Sequence, residues 1–164
     1  LDFADFGNSP DAFTPDRVKD KVIAYSTTNG TQAINMAAKY NKNISIAAFV
    51  NITAVTDYLA KQDGDIVLFC AGWKDRFSLE DSLCAGAIAE RLIATGNYTT
   101  ICDSTIASID LWDLAKSNLL GYIEKSSHRH RLKGVVSDEI IRICHTMDVY
   151  TVVPVWKNGR LEKS

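Results

Sequence analysis

Along the first half of the chain, short and nearly continuous apolar runs alternate with stretches whose apolar residues recur every three or four positions. The runs cover residues 22–27, 44–50 and 66–71, and unbroken apolar character over such a length is the pattern of strands buried on both faces. Each run gives way to a helical pattern. Residues 31–40 carry Ile34, Ala37 and Ala38 on one stripe. Asn51 stands where it can cap a helix through Gln62 that turns Ile52, Val55 and Leu59 inward. Ser78 and Asp81 form a capping-box-like start to a helix carrying Leu83, Ile88, Leu92 and Ile93. Strand and helix in alternation predict an α/β class, with right-handed crossovers and a largely parallel or mixed central sheet.

The second half reads as more helical. Asp103 or Ser104 can cap a helix through Ile106, Ile109, Leu111 and Leu114, and a short segment follows over 119–124. Ser137 can cap another helix with Ile140, Ile141 and Cys144 inward. A last strand is expected over 150–153, ended by Pro154. No repeat, low-complexity tract or Pro/Gly linker divides the chain, so residues 1–164 are read as a single domain.

Composition narrows the function classes. A chain of 164 residues with 46% hydrophobic and 23% charged residues has the make-up of a globular domain. Its formal net charge of -2 offers no global attraction to nucleic acid, and no basic stripe compensates. The apolar runs fall far short of the roughly 20 residues that span a bilayer, so no membrane role is expected. No secretory leader is visible at Leu1. Cys70, Cys84, Cys102 and Cys144 lie far apart among apolar neighbours, without C-x-x-C spacing. They are expected to be buried free thiols of a reducing, cytoplasmic compartment.

In open α/β sheets ligands gather at the carboxyl ends of the strands, which directs attention to the turns leaving the runs. The first is Ser26-Thr27-Thr28-Asn29-Gly30-Thr31, where hydroxyl and amide groups surround a glycine before a helix N-terminus. That combination can hold an oxyanion, and it equally suits a plain turn and cap. The third run leaves through Gly72-Trp73-Lys74-Asp75-Arg76-Phe77 into Ser78-Leu79-Glu80-Asp81. Adjacent carboxylates in a first helical turn complement the helix dipole, and they can also bind Mg²⁺, which favours one or two carboxylates with water and phosphate oxygens. Downstream, Ser126-Ser127-His128-Arg129-His130-Arg131-Leu132-Lys133-Gly134 gathers cations in an otherwise slightly acidic chain, with His128 and Arg131 on one face of a helical turn. Such a patch fits a small anion or, equally, a solvated helix end.

In order, Gly7-Asn8-Ser9-Pro10, Ser26 to Thr31, Cys70-Ala71-Gly72, Ser78-Leu79-Glu80-Asp81, Ala85-Gly86, then Ser126, His128, Arg131-Leu132, Gly134, Asp138, Cys144, Asp148 and Val153-Pro154 resemble the motifs of the 2-phosphosulfolactate phosphatase family. The resemblance runs over nearly the whole chain. It implies a three-layer α/β/α fold and a Mg²⁺-dependent phosphatase that converts 2-phospho-3-sulfolactate to sulfolactate and phosphate, in sulfonate biosynthesis of the coenzyme M type. A homodimer is a possible assembly. Arg129-His130 departs from the pattern, in which glycine and a basic residue are more usual. The family's N-terminal segment, with an Asp-bearing strand, is expected to be absent from this chain.

On that resemblance, Glu80 and Asp81 are the candidate metal ligands and Asp81 and His128 the candidate catalytic residues. Asn8, Ser9, Thr28, Asn29, Gly30, Thr31 and Arg131 are the candidate substrate contacts. The nucleophile is an aspartate or an activated water. Two other functions fit the same residues: a catalytically silent anion-binding domain or fragment, and a phosphatase for another small phosphorylated acid.

Overall fold

The amphipathic pattern that follows Ser78 becomes the central helix of the structure, a computed structural model that describes residues 4–164. Helix α4 spans Leu79–Ala94, and Ser78 caps it through a hydroxyl that accepts from the Asp81 amide and donates to Asp81 Oδ1 at 2.7 Å. Before it lie α1 (Pro15–Val18), α2 (Gly30–Ala37) and α3 (Ile52–Leu59); after it come α5 (Asp103–Ala115), α6 (Leu119–Ile123), α7 (Ser127–Leu132) and α8 (Asp138–Cys144). A terminal hairpin pairs β1 (Pro154–Lys157) with β2 (Arg160–Lys163).

The core is built where α4 meets α5. Leu83, Ala87, Ile88 and Leu92 of α4 pack with Trp112 and Ala115 of α5, and Phe49, Ile52, Leu119, Ile123 and Ile141 complete the cluster. Each large side chain buried here contributes about 1.5–3 kcal/mol. The helices approach closely at Gly86, where an added Cβ would lie 2.0 Å from the Ser108 carbonyl oxygen. Glu90 accepts from the Trp112 indole N–H at 2.8 Å and from Lys116 at 2.7 Å, so the pair is pinned at its polar edge as well.

The hairpin turns at Asn158-Gly159, both with left-handed φ (49° and 84°), the geometry that Asn-Gly favours in two-residue turns. The run near residue 45 lies antiparallel to β1: the Ile46 amide donates to the Pro154 carbonyl and the Trp156 amide to the Ile44 carbonyl. The last strand therefore starts at Pro154 rather than ending there. Proline lacks the N–H but keeps the carbonyl that this neighbour uses. Asn51 is buried, and its side chain does not cap α3 as expected. It bonds the Ala48 amide and the Ile46 and Val152 carbonyls, tying the run to the hairpin, while Asp148 caps α3 by accepting from the Thr53 amide and hydroxyl.

The expected three-layer sandwich about a largely parallel sheet is not formed among the described residues; the single ladder there is the antiparallel β1–β2 pair. Helix and a small sheet remain compatible with an α/β class. The extended runs explain the difference. In 66–71, Ile66 and Leu68 pack against the core while Val67 and Phe69 are 84% and 53% exposed. In 22–27, Val22 is fully exposed and Tyr25 54% exposed. In 66–71 one face is covered and the other is not, and in 22–27 all but Thr27 are exposed, so among the described residues no second layer lies against either run. A continuous apolar pattern therefore meets half or less of the burial it was read to require.

All four cysteines are free thiols, but their burial differs from expectation: Cys70 and Cys102 are exposed, and Cys84 and Cys144 are partly buried. No helix among the described residues is long and apolar enough to cross a membrane.

Candidate functional site

The turn after the first run is organised by a reciprocal lock between Thr27 and Thr31. The Thr31 amide donates to Thr27 Oγ1 at 3.1 Å and the Thr31 hydroxyl donates to the Thr27 carbonyl at 2.7 Å. Gly30 is the first residue of α2, and a Cβ there would sit 3.1 Å from Thr27 Oγ1, so glycine lets the lock close. Asn29 does not cap α2 with its side chain. Its Oδ1 accepts from the Lys74 amide at 3.1 Å, which joins this turn to the one that leaves the third run.

That second turn is unusually tight. Trp73 and Arg76 exchange two backbone hydrogen bonds of 3.1 Å, and the two residues between them, Lys74 and Asp75, both adopt left-handed φ (51° and 57°). Gly72, with φ 66°, precedes them, and a Cβ on it would come 2.7 Å from the Arg76 carbonyl oxygen. Left-handed conformations of non-glycine residues cost about 1–3 kcal/mol each and persist where surroundings hold them. Here Asp81 holds them, because its Oδ2 accepts from the Gly72 amide at 2.8 Å while Oδ1 takes the Ser78 hydroxyl.

Between the two turns opens a cavity of about 570 Å³. Thr28, Asn29, Gln32, Lys74, Asp75, Arg76, Ser78 and Ser82 supply its polar wall, and Met36, Phe69 and Phe77 its apolar one. A second cavity of about 240 Å³, apolar and lined in part by Ile46, Val50, Tyr150 and Val152, shares no residue with it.

The basic segment reaches the same region. Ser126 caps α7 by accepting from the Arg129 amide, and its buried hydroxyl donates to Glu80 Oε1 at 2.6 Å. The Arg131 guanidinium stacks 3.8 Å from the centre of the Trp73 ring and donates to Ser127 Oγ and His128 Nδ1, each at 3.1 Å. Arginine can only donate, so Nδ1 of His128 is the acceptor in this arrangement and Nε2 carries the proton. Arg129, by contrast, is paired with Glu124 and Asp138 and belongs to the frame.

Of the candidate residues, Thr28 and Asn29 line the cavity; Asp81 touches its wall by holding the Gly72 amide, Arg131 reaches the same turn by stacking on Trp73, and Gly30, Thr31, Glu80 and His128 lie outside the lining. The structure does not bring Asn8 and Ser9 into the cavity wall: Asn8 accepts from the Tyr25 hydroxyl, and Ser9 precedes a short turn without capping it. Glu80 and Asp81 diverge, one toward Ser126 and the other toward Gly72. Among the described residues no cluster of three or more His, Cys, Asp or Glu side chains forms a ready cation cage. Glu80 nevertheless keeps Oε2 without a hydrogen-bond partner among them, which fits a Mg²⁺ held by one carboxylate, water and substrate oxygens.

One further residue, absent from the expected set, belongs to this neighbourhood. His145 ends α8 with its ring 5.7 Å from that of Phe49, and its Nδ1 donates to the Ile141 carbonyl at 2.8 Å. Burial pushes its basicity down against the opposing pull of that bond and of Glu80. A lone histidine within an apolar helical pattern carries no mark of this in the sequence.

What the geometry defines is an open pocket whose wall carries Lys74 and Arg76, neither in an ion pair among the described residues, beside Asp75. The chain belongs to the 2-phosphosulpholactate phosphatase family, whose model matches residues 1–159. The match takes in residue 1 and nearly all that follows. A Synechococcus protein named probable 2-phosphosulfolactate phosphatase is 41% identical over 153 residues, covering 92% of this chain and 62% of its own length. One of the same name from Caldanaerobacter subterraneus is 36% identical over 160 residues, covering 98% and 66%. A third, from Symbiobacterium thermophilum, is 34% identical over 154 residues. The chain therefore spans slightly less than two thirds of the length of the first two relatives.

Proposed function

We propose that the chain carries the activity its relatives' names describe, hydrolysis of the phosphate ester of 2-phospho-3-sulfolactate to sulfolactate and inorganic phosphate. The observation that carries this reading is that the 26–31 and 72–76 turns, joined by the Asn29–Lys74 hydrogen bond, wall one cavity, while Arg131 of the basic segment stacks on Trp73 of the second turn. A substrate with phosphate, sulfonate and carboxylate groups needs several separate anion contacts, and phosphoryl transfer asks mainly for positioning and charge neutralisation. Thr28 and the backbone of Asn29 and Gly30 would hold one anionic group, with Thr31 bracing the turn through Thr27; Arg131, oriented by His128, would meet another. Glu80 is the better candidate ligand for Mg²⁺, which would neutralise phosphate oxygens, and Asp81 would act mainly by fixing the Gly72 turn. The same reading makes the protein a cytoplasmic enzyme of coenzyme M type sulfonate biosynthesis. It also makes it a homodimer, with exposed apolar surface such as Val22 and Val67 for a second copy to cover.

A second reading has its own support. Both Asp81 oxygens already accept hydrogen bonds, an engagement that suits binding without turnover. Phosphate release from 2-phospho-3-sulfolactate, followed with and without Mg²⁺, separates the two. Under the phosphatase reading Glu80→Gln lowers kcat/KM about tenfold or more and raises the Mg²⁺ requirement, with little change in Tm. Absence of release while sulfolactate still binds would decide for the silent anion-binding domain.

A further inference from the structure

The tight turn before α4 presents more than backbone. Lys74 places its ammonium 4.7 Å from the centre of the Trp73 ring, and the Arg131 guanidinium lies 3.8 Å from the same centre. Two cations thus share one indole, although they come from segments far apart in the chain. Neither forms an ion pair among the described residues, nor does Arg76 in the same turn. Each cation is attracted to the ring while the two repel one another, and a bound anion would offset that repulsion. The turn that creates this arrangement is itself held in left-handed conformations at Gly72, Lys74 and Asp75. Strain of that kind gathers where a side chain must be aimed. Lys74 lines the cavity, and Arg131 is tied to that wall through Trp73, which stands between the lining residues Gly72 and Lys74 in the chain.

We propose that Lys74 and Arg131, spaced by Trp73, form a specificity subsite for the substrate's second, non-reacting anionic group, a sulfonate or a carboxylate. Trp73 is a positioning residue in it: the indole fixes the plane of the guanidinium, whose donors toward Ser127 and His128 leave the remaining fork for the ligand. The turn would then decide in favour of phosphoesters that carry a second anion over simple monoesters. This inference rests on the phosphatase reading for its substrate, and its test is chosen so that the two can fail separately.

The ratio of kcat/KM for 2-phospho-3-sulfolactate to that for phenyl phosphate measures the selectivity directly. Trp73→Leu and Lys74→Asn are each expected to lower this ratio about tenfold through a higher KM for the sulfonate substrate, and Trp73→Phe, which keeps an aromatic face, to restore most of it. Asparagine is chosen at position 74 because it tolerates the left-handed backbone. Sulfolactate alone should quench the tryptophan fluorescence of the wild-type chain and leave that of Trp73→Phe unchanged, since Trp112 is buried in the core and Trp156, on β1, does not line the cavity. An unchanged ratio in both variants, or equal quenching with and without Trp73, would overturn the subsite. Wild-type protein that hydrolyses neither ester would overturn the phosphatase reading, and the fluorescence titration would still decide the subsite.

Discussion

Helices α4 and α5 meet through apolar side chains and a glycine that lets their backbones nearly touch, whereas the cavity mouth is held by hydroxyls, amides and one carboxylate that bond backbone groups of neighbouring turns. The two regions share α4. Its later turns face the core, and its first turn, through Ser78, Glu80 and Asp81, organises the mouth. Packing of the first kind is intolerant of volume but indifferent to charge. Bonding of the second kind tolerates small changes of volume but depends on each donor finding its acceptor. One helix thus supports a rigid side and an adaptable side, and ligand contacts fall on the latter.

The largest effect is expected where the first region is broken. Gly86→Ala puts a methyl group 2.0 Å from the Ser108 carbonyl oxygen, which is helical backbone, and 3.0 Å from Cβ of the buried Trp112, and neither can yield locally. The helices must separate along their length, at a cost of about 3 kcal/mol or more. Urea denaturation would register the loss as a lower midpoint; a midpoint within error of wild type would mean that the α4–α5 contact is looser than described.

A smaller effect tests the second region. Thr31→Val keeps shape but removes the hydroxyl that donates to the Thr27 carbonyl, so about 0.5–1.5 kcal/mol of stability should be lost. Because that hydroxyl is already engaged, affinity for inorganic phosphate should fall only as far as the turn loosens. Phosphate titration of this variant beside Arg131→Ala would check it, and a greater loss of affinity in Thr31→Val would assign the hydroxyl to the ligand instead.

The contrast between the regions also governs what could be read from the sequence. Helix α4 with its Ser78 cap and α8 with its Ser137 cap were legible because period and cap are local signals. The Asn158-Gly159 turn offered an equally local signal for the terminal hairpin. The pairing of Ile44 and Ile46 with β1 was not legible, since register between distant segments leaves no local trace. Nor could the sequence say that Val67 and Phe69 stay uncovered, because an apolar run specifies a demand for burial and not its supply. At the site, residue types near Asn29, Asp81 and Arg131 pointed to anion chemistry. The partners that orient them, Lys74, Gly72 and Trp73, follow only from three-dimensional contact.

The thiols give the mildest and most specific probe of the same contrast. Cys84, on the core side of α4, has its thiol pushed up to about 12 by burial, with Asp81 and Cys70 adding to the effect. Cys102 precedes α5 at the exposed surface, where the Ser104 hydroxyl, 3.1 Å from Sγ, and the Thr105 amide favour the thiolate and bring it down to about 7. Thiolate rather than thiol reacts with a disulfide reagent. Near neutral pH a substantial fraction of Cys102 is therefore ready to react, and almost none of Cys84. Labelling at pH 7 should proceed through a fast phase that Cys102→Ser removes without shifting Tm, with Cys84 reacting only after denaturation. The rate of the fast phase should rise with pH and half-saturate near 7; a half-point well above 8 would mean that Ser104 and Thr105 do not hold the thiolate.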